Sequence, residues 1–453
     1  MADVASTLGA AVIADDVTGA NASAALLLAA GLRAFTALDS VAAEQALSQL
    51  GVEALAVSTG SRNLAPAQAA ERVRLLAEQL VRAHSVRLNK RIDSTLRGNL
   101  GAELDAVLEV FQRRVCRQAC AVVVAAHPRG GRICLGGYLL VNGLAVSETE
   151  AARDPYWPVR QSEVLKVLAQ QSRRSMAHVP LGAVLGGRES LLRALTRAAS
   201  AAEIVLVDAV TDHHLETIAD ALDASPIPYL LADPGPAFAA WIARGVRGSK
   251  PSGAYPGPAP PHIVKPADTV PPLVIAGSSS LKTIEQVRLL LTSRRAAVVL
   301  VDPDKIGRNE GPGTINGAAE ELAHHCSRAQ ADALEAIVLA TAAPPAAPCQ
   351  AGAELGAATA RALACVAARA LAGCKSAPPG LVVTGGDVAL AVCEALGGRG
   401  IEPLGEIEPL IVAGRLRGGP YSGLALCTKG GLVGSPGALE ACVDWLRRVP
   451  ALA

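Results

Sequence analysis

The sequence predicts an α/β protein of two α/β domains with mostly parallel sheets and an active site in the cleft between them. Three observations predict it. Short apolar runs alternate with helical patterns along most of the chain, the rhythm of strands in a parallel sheet covered by helices. The length, 453 residues, exceeds what one hydrophobic core normally organises. A stretch dense in Pro and Gly, from Gly245 to Pro272, interrupts the rhythm midway.

In order, Ala11–Ala14 reads as a buried strand, followed by the polar turn Asp15-Asp16-Val17-Thr18-Gly19-Ala20-Asn21 and a helix over Ala22–Ala30 that Gly31 ends. Ala54–Ser58 is the next strand, Pro66–Ala83 a helix and Val86–Asn89 a strand. The polar loop Lys90–Asn99 opens a helix marked by Leu100, Leu104, Val107, Leu108 and Phe111. Ala121–Ala125, Ile204–Val207 and Tyr229–Leu231 continue the strands, with a helix at Arg188–Ala202. Gly130 to Gln161 breaks the pattern and reads as an irregular excursion over the sheet edge. These residues form an N-terminal domain, 1–245; 246–272 is a semi-rigid linker; 273–453 is a second domain. There Leu273–Ala276, Ala297–Asp302, Ala336–Ala340 and Leu381–Thr384 read as strands, Leu281–Thr292, Ala353–Ala372 and Val388–Leu396 as helices, and Ala342–Pro348 as a loop. No internal repeat is visible.

Composition narrows the function. With 42 basic and 41 acidic residues the net charge is +1, which gives no long-range pull toward nucleic acid or an anionic membrane. Aromatic residues are 2%, too few for base-stacking platforms. The ten cysteines are scattered without the spacing of a zinc or redox motif, and no dedicated metal site is expected. No signal peptide precedes the first strand and no apolar run reaches spanning length, so a cytoplasmic protein is expected. The oligomeric state is open, a homo-oligomer included.

Two polar loops in the first half carry chemistry. Lys90-Arg91-Ile92-Asp93-Ser94-Thr95-Leu96-Arg97-Gly98-Asn99 crowds cations, an acid and hydroxyls at a strand end, where open α/β sheets place ligands. It suits a small, anionic, hydroxylated ligand held by charge-assisted hydrogen bonds. A solvated helix cap explains any one of these residues but not the group. Asp15 and Asp16 follow the first strand; one reads as a ligand-facing acid and the other as structural support or a helix cap.

In the second half, three glycine turns stand at strand ends: Gly277-Ser278-Ser279-Ser280, Thr384-Gly385-Gly386-Asp387, and Thr428-Lys429-Gly430-Gly431-Leu432-Val433-Gly434. Glycine lets backbone amides approach a phosphate, and a helix N-terminus favours its charge. A tight strand-to-helix turn also needs glycine, but three with hydroxyls and Lys429 favour a phosphate-bearing ligand. None matches the P-loop or the dinucleotide fingerprint. An anion- and hydroxyl-reading half joined to a phosphate cradle is what a small-molecule kinase needs.

The chain resembles the four-carbon acid sugar kinases. The resemblance lies in Ile13 to Asn21, Lys90 to Gly101, Gly143 to Arg153 with Asp154-Pro155, Thr384 to Asp387, Gly405-Glu406-Ile407-Glu408-Pro409, Gly418-Gly419-Pro420 and Thr428 to Gly431. It implies ATP-dependent phosphorylation of the 4-hydroxyl of a sugar acid, with D-threonate favoured over D-erythronate and 3-oxo-tetronate. By the same resemblance Asp15, Asp16, Arg62, Lys90, Arg91, Ile92 and Asp93 form the sugar-acid site. Ser278, Ser280, Thr384, Gly385, Gly386, Asp387, Lys429, Gly430 and Gly431 form the ATP site. Arg62 with Lys90 or Arg91 would clamp the carboxylate, and Asp16 or Asp93 would take the hydroxyl proton. Mg2+ would bridge the phosphates, with Asp387 as its ligand or as the N-cap of the helix after it. The chain departs from the family pattern at Gly60, around Ala125-Ala126-His127-Pro128, and at Gly277-Ser278-Ser279-Ser280, which bear on substrate choice. The rivals are a non-catalytic sugar-acid or nucleotide sensor, and a dehydrogenase, which the missing fingerprint disfavours.

Overall fold

A computed structural model describes residues 8–81, 87–245, 270–278, 280–307, 311–341, 352–373 and 380–448. The chain divides into two compact units, Met1–Tyr255 and Pro256–Ala453. The expected linker, apart from residues 270–272, and the expected loop Ala342–Pro348, apart from its neighbours, lie outside the described residues.

The first unit alternates strands and helices: β1 (Ala10–Ala14), α1 (Val17–Ala29), β2 (Ala34–Ala37), α2 (Ser40–Gln49), β3 (Ala54–Ser58), α3 (Pro66–Leu80), β4 (Arg87–Lys90), α4 (Leu100–Arg114) and β5 (Cys120–Val123). After them come β6 (Arg132–Leu135), β7 (Tyr138–Val141), β8 (Leu144–Ala145), α5 (Val164–Ala169), β9 (Met176–Val179), α6 (Leu181–Leu185), α7 (Gly187–Ala199), β10 (Ile204–Val207), α8 (Asp212–Asp223), β11 (Tyr229–Ala232) and α9 (Pro236–Gly245). The strand order is β2-β3-β1-β4-β11-β5-β10-β9, every pairing parallel. Strands such as Ala10–Ala14 are buried along their whole length, as continuous apolar runs between two helical layers must be. From β1 the chain runs out to β2, returns to β3 on one side of β1, and then crosses to β4 on the other. The carboxyl ends of β1, β3 and β4 therefore flank the point where strand order reverses, which is where such sheets open a crevice.

Two departures from the sequence reading have local causes. β2 and β9 escape it because each is four residues long with a polar residue, Thr36 or His178, inside. The segment read as irregular contains the three-stranded antiparallel sheet β6-β7-β8. Its turns are two-residue hairpin loops: Gly136 and Gly137 at φ 62° and 81°, then Asn142 and Gly143 at 52° and 84°. Gly-Gly and Asn-Gly are the residues that left-handed hairpin turns require.

The second unit holds β12 (Leu273–Ala276), α10 (Leu281–Ser293), β13 (Ala296–Val301), α11 (Pro303–Gly307), α12 (Gly311–Arg328), β14 (Ala336–Thr341) and α13 (Gly352–Gly373). It continues with β15 (Leu381–Thr384), α14 (Gly386–Ala395), β16 (Gly400–Glu408), β17 (Ile411–Arg417), β18 (Ala425–Lys429) and α15 (Ala438–Leu446). Its order is β13-β14-β12-β15-β18-β17-β16, parallel as far as β18. β16 and β17 then add an antiparallel hairpin that the sequence reading passed over, because Pro403 and Gly405 break its alternation and the ladder is irregular there.

One expectation fails. Glu354–Gly373, in α13, is long and apolar enough to cross a membrane by length and composition alone. In the fold Leu363, Val366, Ala367 and Leu371 are buried, and the helix packs against α12 and α14. Its apolar length is that of a core helix.

Candidate active site

Parallel pairing in register, Ala14 beside Ser58 and Ile13 beside Lys90, brings the three loops after β1, β3 and β4 together. Asp16 is extended (φ −139°) and caps α1: its Oδ1 accepts from the Gly19 amide at 2.8 Å, its Oδ2 from Thr18 Oγ1 at 2.8 Å. The helix therefore starts at Val17, five residues earlier than apolar periodicity suggests, because the cap sets its start.

Arg62 gathers three acids. Its Nε and Nη2 donate to the two oxygens of Asp15 at 2.6 and 3.0 Å, Nη1 donates to Asp16 Oδ2 at 2.8 Å, and Nη2 also reaches Asp93 Oδ1 at 3.3 Å. Arg91 Nη1 lies 3.3 Å from Asp15 Oδ1, 3.5 Å from Asp16 Oδ1 and 3.9 Å from Asp93 Oδ1. Gly19 makes room for this guanidinium, since a Cβ there would stand 2.3 Å from Arg91 Nη1. Asp93 Oδ2 accepts from the Thr95 amide (3.1 Å), Thr95 Oγ1 (2.5 Å) and Arg97 Nε (3.0 Å), while Arg97 Nη1 binds Asp154 at 3.0 Å. The loop is drawn tight enough that buried Leu96 takes φ 66°.

Burial alone would raise the carboxyls of Asp93 and Asp15. For Asp93 the opposing charges of Arg97, Arg62 and Arg91 win and hold it well below the usual carboxylate range. Asp15 is likewise lowered, burial being outweighed by Arg62 and Arg91. Both are fixed anions, and Asp93, wrapped by donors, is an anchor for the cations around it.

The structure gathers Asp15, Asp16, Arg62, Arg91 and Asp93 and sets Lys90 and Ile92 apart. Lys90 Nζ is buried, 2.7 Å from Glu103 Oε2 and donating to the Arg91 carbonyl at 2.7 Å. It ties β4 to α4 with its ammonium engaged by Glu103, and its charge also helps to lower Asp15. Ile92 is a core side chain whose amide donates to the Asp233 carbonyl at 3.2 Å. Glu103, which sequence reasoning missed, also accepts from Ser61 Oγ at 2.5 Å, and burial raises its carboxyl despite Lys90. Its signal was an acid on the apolar face of α4 beside Leu100 and Leu104. Asn99 Nδ2 fastens the loop after β3 through the carbonyls of Ser61, Arg62 and Leu64.

In the second unit β12, β15 and β18 are adjacent and parallel, with Ala276 beside Thr384 and Thr384 beside Lys429. All three glycine turns thus leave the sheet side by side. Ser280 caps α10, accepting from the Thr283 amide at 3.0 Å, and donates to the Gly431 carbonyl at 2.8 Å. A Cβ on Gly431 would lie 2.3 Å from Ser278 Oγ, so that turn needs glycine for close approach. Gly385 has φ 95° and is the N-cap residue of α14, whose first residue is Gly386. Asp387 is therefore exposed in the first turn and is not the cap. Gly430 is under no such constraint, its nearest Cβ neighbour being Val433 at 3.6 Å. Lys429 is fully buried and turns inward, its Nζ donating to the Gly430 carbonyl at 2.9 Å and the Val433 carbonyl at 3.3 Å, so it shapes the loop from beneath. Thr384 Oγ1 is buried with no hydrogen-bond partner.

A sugar-binding N-terminal domain model matches residues 10–241, and a nucleotide-binding C-terminal domain model matches 273–439. The chain is 35% identical over 450 residues to a D-erythronate kinase of Heliobacterium modesticaldum, covering 96% of each chain. It belongs to the four-carbon acid sugar kinases. Another member of that kinase family, a D-threonate kinase of Salmonella typhimurium, is 32% identical over 442 residues, covering 94% of this chain and 96% of the relative. A solved structure from the same organism shares the fold, with TM-score 0.72 at 23% identity over 96% of this chain and 98% of that one. Membership in a kinase family disfavours both the sensor and the dehydrogenase.

Proposed function

We propose that this kinase transfers the γ-phosphoryl group of ATP to the 4-hydroxyl of a four-carbon sugar acid. D-Threonate, favoured by the sequence reading, and D-erythronate lead the panel of substrates, with 3-oxo-tetronate beside them; these are the acids named for its relatives. What carries the reading is that each half has its own built set of donors: a buried cation–acid cluster in the first unit, three aligned glycine turns in the second.

Phosphoryl transfer asks mainly for positioning and charge stabilisation, and a weakly basic carboxylate suffices to take the hydroxyl proton late. The Asp15–Asp16 pair is the better acceptor, because Asp93 is saturated by Thr95 and Arg97. Arg62 and Arg91 meet the substrate carboxylate. Of the five N–H donors on Arg62, four point at acids, so binding exchanges or shares these partners.

The donors of the second unit fit a polyphosphate: the unpartnered Thr384 hydroxyl, the Gly385 turn and the Ser278–Gly431 approach. ATP supplies the transferred group, and Mg2+ would offset its charge. The ion would be held largely by phosphate oxygens, with Asp387, exposed in the first turn of α14, as the side chain that could join them. The cysteines of the described residues are free, in keeping with a reducing, cytoplasmic setting.

The test is ADP release on a panel of four-carbon sugar acids, with product phosphorus spectra. Acid-dependent ADP release with a phosphomonoester at carbon 4 is expected. ATP turnover that ignores every acid of the panel would sink the proposal.

A further inference from the structure

The rim that carries the cation–acid cluster has one more buried side chain that the reaction as described leaves idle. His127 lies four residues beyond β5, and β5 reaches β4 through β11, so it opens on the same rim as Arg91 and Asp93. The residue is 2% exposed. Its Nδ1 accepts from the Gly130 amide at 3.1 Å, and its backbone pairs both ways with Arg132. With Nδ1 accepting, the ring proton sits on Nε2, and Nε2 is buried without a hydrogen-bond partner. The Arg91 Nε is a second buried donor without one. Buried donors are almost always satisfied, and orphans gather where a ligand completes them. Burial, then the charges of Arg132, Arg91 and Arg129, push the imidazole down to about 3, so the ring stays neutral and offers only that N–H.

We propose that His127 is a further substrate-contacting residue, whose Nε2–H donates to an oxygen of the sugar acid beside Arg91. The inference rests on the kinase reading for the identity of the ligand. The contact is a donor only. It can donate to a carbonyl, carboxylate or hydroxyl oxygen on the ligand and leaves any hydroxyl hydrogen to the acids of the cluster. It is therefore a contact that tetronates and a 3-oxo acid can share.

Two substitutions in the full chain separate substrate contact from loop support. His127→Asn keeps an acceptor where Nδ1 meets Gly130 but removes the Nε2 donor. His127→Gln places an amide N–H near the Nε2 position and gives up the Gly130 contact. Calorimetric titration of the four-carbon acids, sugar-acid and ATP KM, and melting temperature are measured for each. A substrate contact predicts that His127→Asn melts like the parent, weakens sugar-acid binding about tenfold and leaves the ATP KM unchanged, with His127→Gln partly restoring binding. The inference is overturned if His127→Asn binds as the parent does, or if His127→Gln is the worse of the two in both melting and binding. Parent protein that binds the acids without turning them over would refute the kinase reading alone. Parent protein that binds none of them refutes both.

Discussion

Asp16 is committed twice, as the cap of α1 and as one of the acids Arg62 holds. Asn caps almost as well as Asp, so Asp16→Asn should abolish turnover while the melting temperature stays near the parent's; Asp16→Ala should lose about 1 kcal/mol of stability as well. Full activity in Asp16→Asn with Asp15→Asn inactive would move the role one residue back, and full activity in both would end it. Arg62→Ala has a larger reach than the sequence suggested. It removes a counter-charge from buried Asp15, Asp16 and Asp93, and breaking a buried pair costs roughly 3–5 kcal/mol. The sugar-acid KM should rise far more than the ATP KM, and the melting temperature should fall too. The sign with pH follows from the lowered carboxyls of Asp15 and Asp93. Their contribution is present above the unfolded carboxylate value of about 3.9 and is lost as pH falls through the folded values. Melting curves from pH 7 down to 3 should therefore show the variant's deficit shrinking as acid removes the parent's advantage; a deficit that stays constant or grows would refute this. Residue chemistry of this kind was legible as a cluster but not as an arrangement. Sequence shows that Lys90, Arg91 and Asp93 are close; only the fold shows Lys90 committed to Glu103 beneath them.

At the scale of elements, strands with continuous apolar runs were readable. β3, β10 and β15 have the limits that the sequence predicts, because both faces are buried and turn residues punctuate them. The hairpins β6–β7 and β16–β17 were not, since their alternation is broken by Gly, Pro and charged residues whose function is to turn the chain. The glycine turns were found as motifs, but sequence could not say which glycine bears the constraint. Geometry answers that: Gly385 by its φ of 95° and Gly431 by its approach to Ser278. Gly385→Val and Gly431→Val should raise the ATP KM about tenfold or more while the sugar-acid KM changes little; at Gly385 a side chain at positive φ costs about 1–2 kcal/mol, and at Gly431 it crowds Ser278. Gly430→Ala, with ordinary contacts, should melt like the parent. ATP titration beside melting curves checks all three. Parent-like ATP binding in folded Gly431→Val would remove that turn from the nucleotide site.

Across the whole molecule, one Pro-dense stretch suggested two halves, but strand order was not legible, because parallel partners are distant in sequence. Order is what gathers the polar loops of each half: those after β1, β3 and β4 in one, those after β12, β15 and β18 in the other. The second group stays in phase through its entire length, Leu273, Leu381 and Leu426 at one end and Ala276, Thr384 and Lys429 at the other. The β16–β17 ladder, by contrast, already shifts register near Pro403–Gly405 and Glu406–Glu408. The two regions should therefore differ in their tolerance of a changed residue count. Deleting one residue from Leu381–Thr384 would retract one turn by about 3.3 Å and send the strand's side chains to the opposite faces. One deletion at the irregular positions of β16 has a bulge to absorb it. A library of single-residue deletions, sorted by ATP binding, should lose every member in β12, β15 and β18 and keep members around Gly405. The nucleotide half is thus closed to changes of length along three of its strands, while among its described strands the antiparallel hairpin gives length variation an outlet.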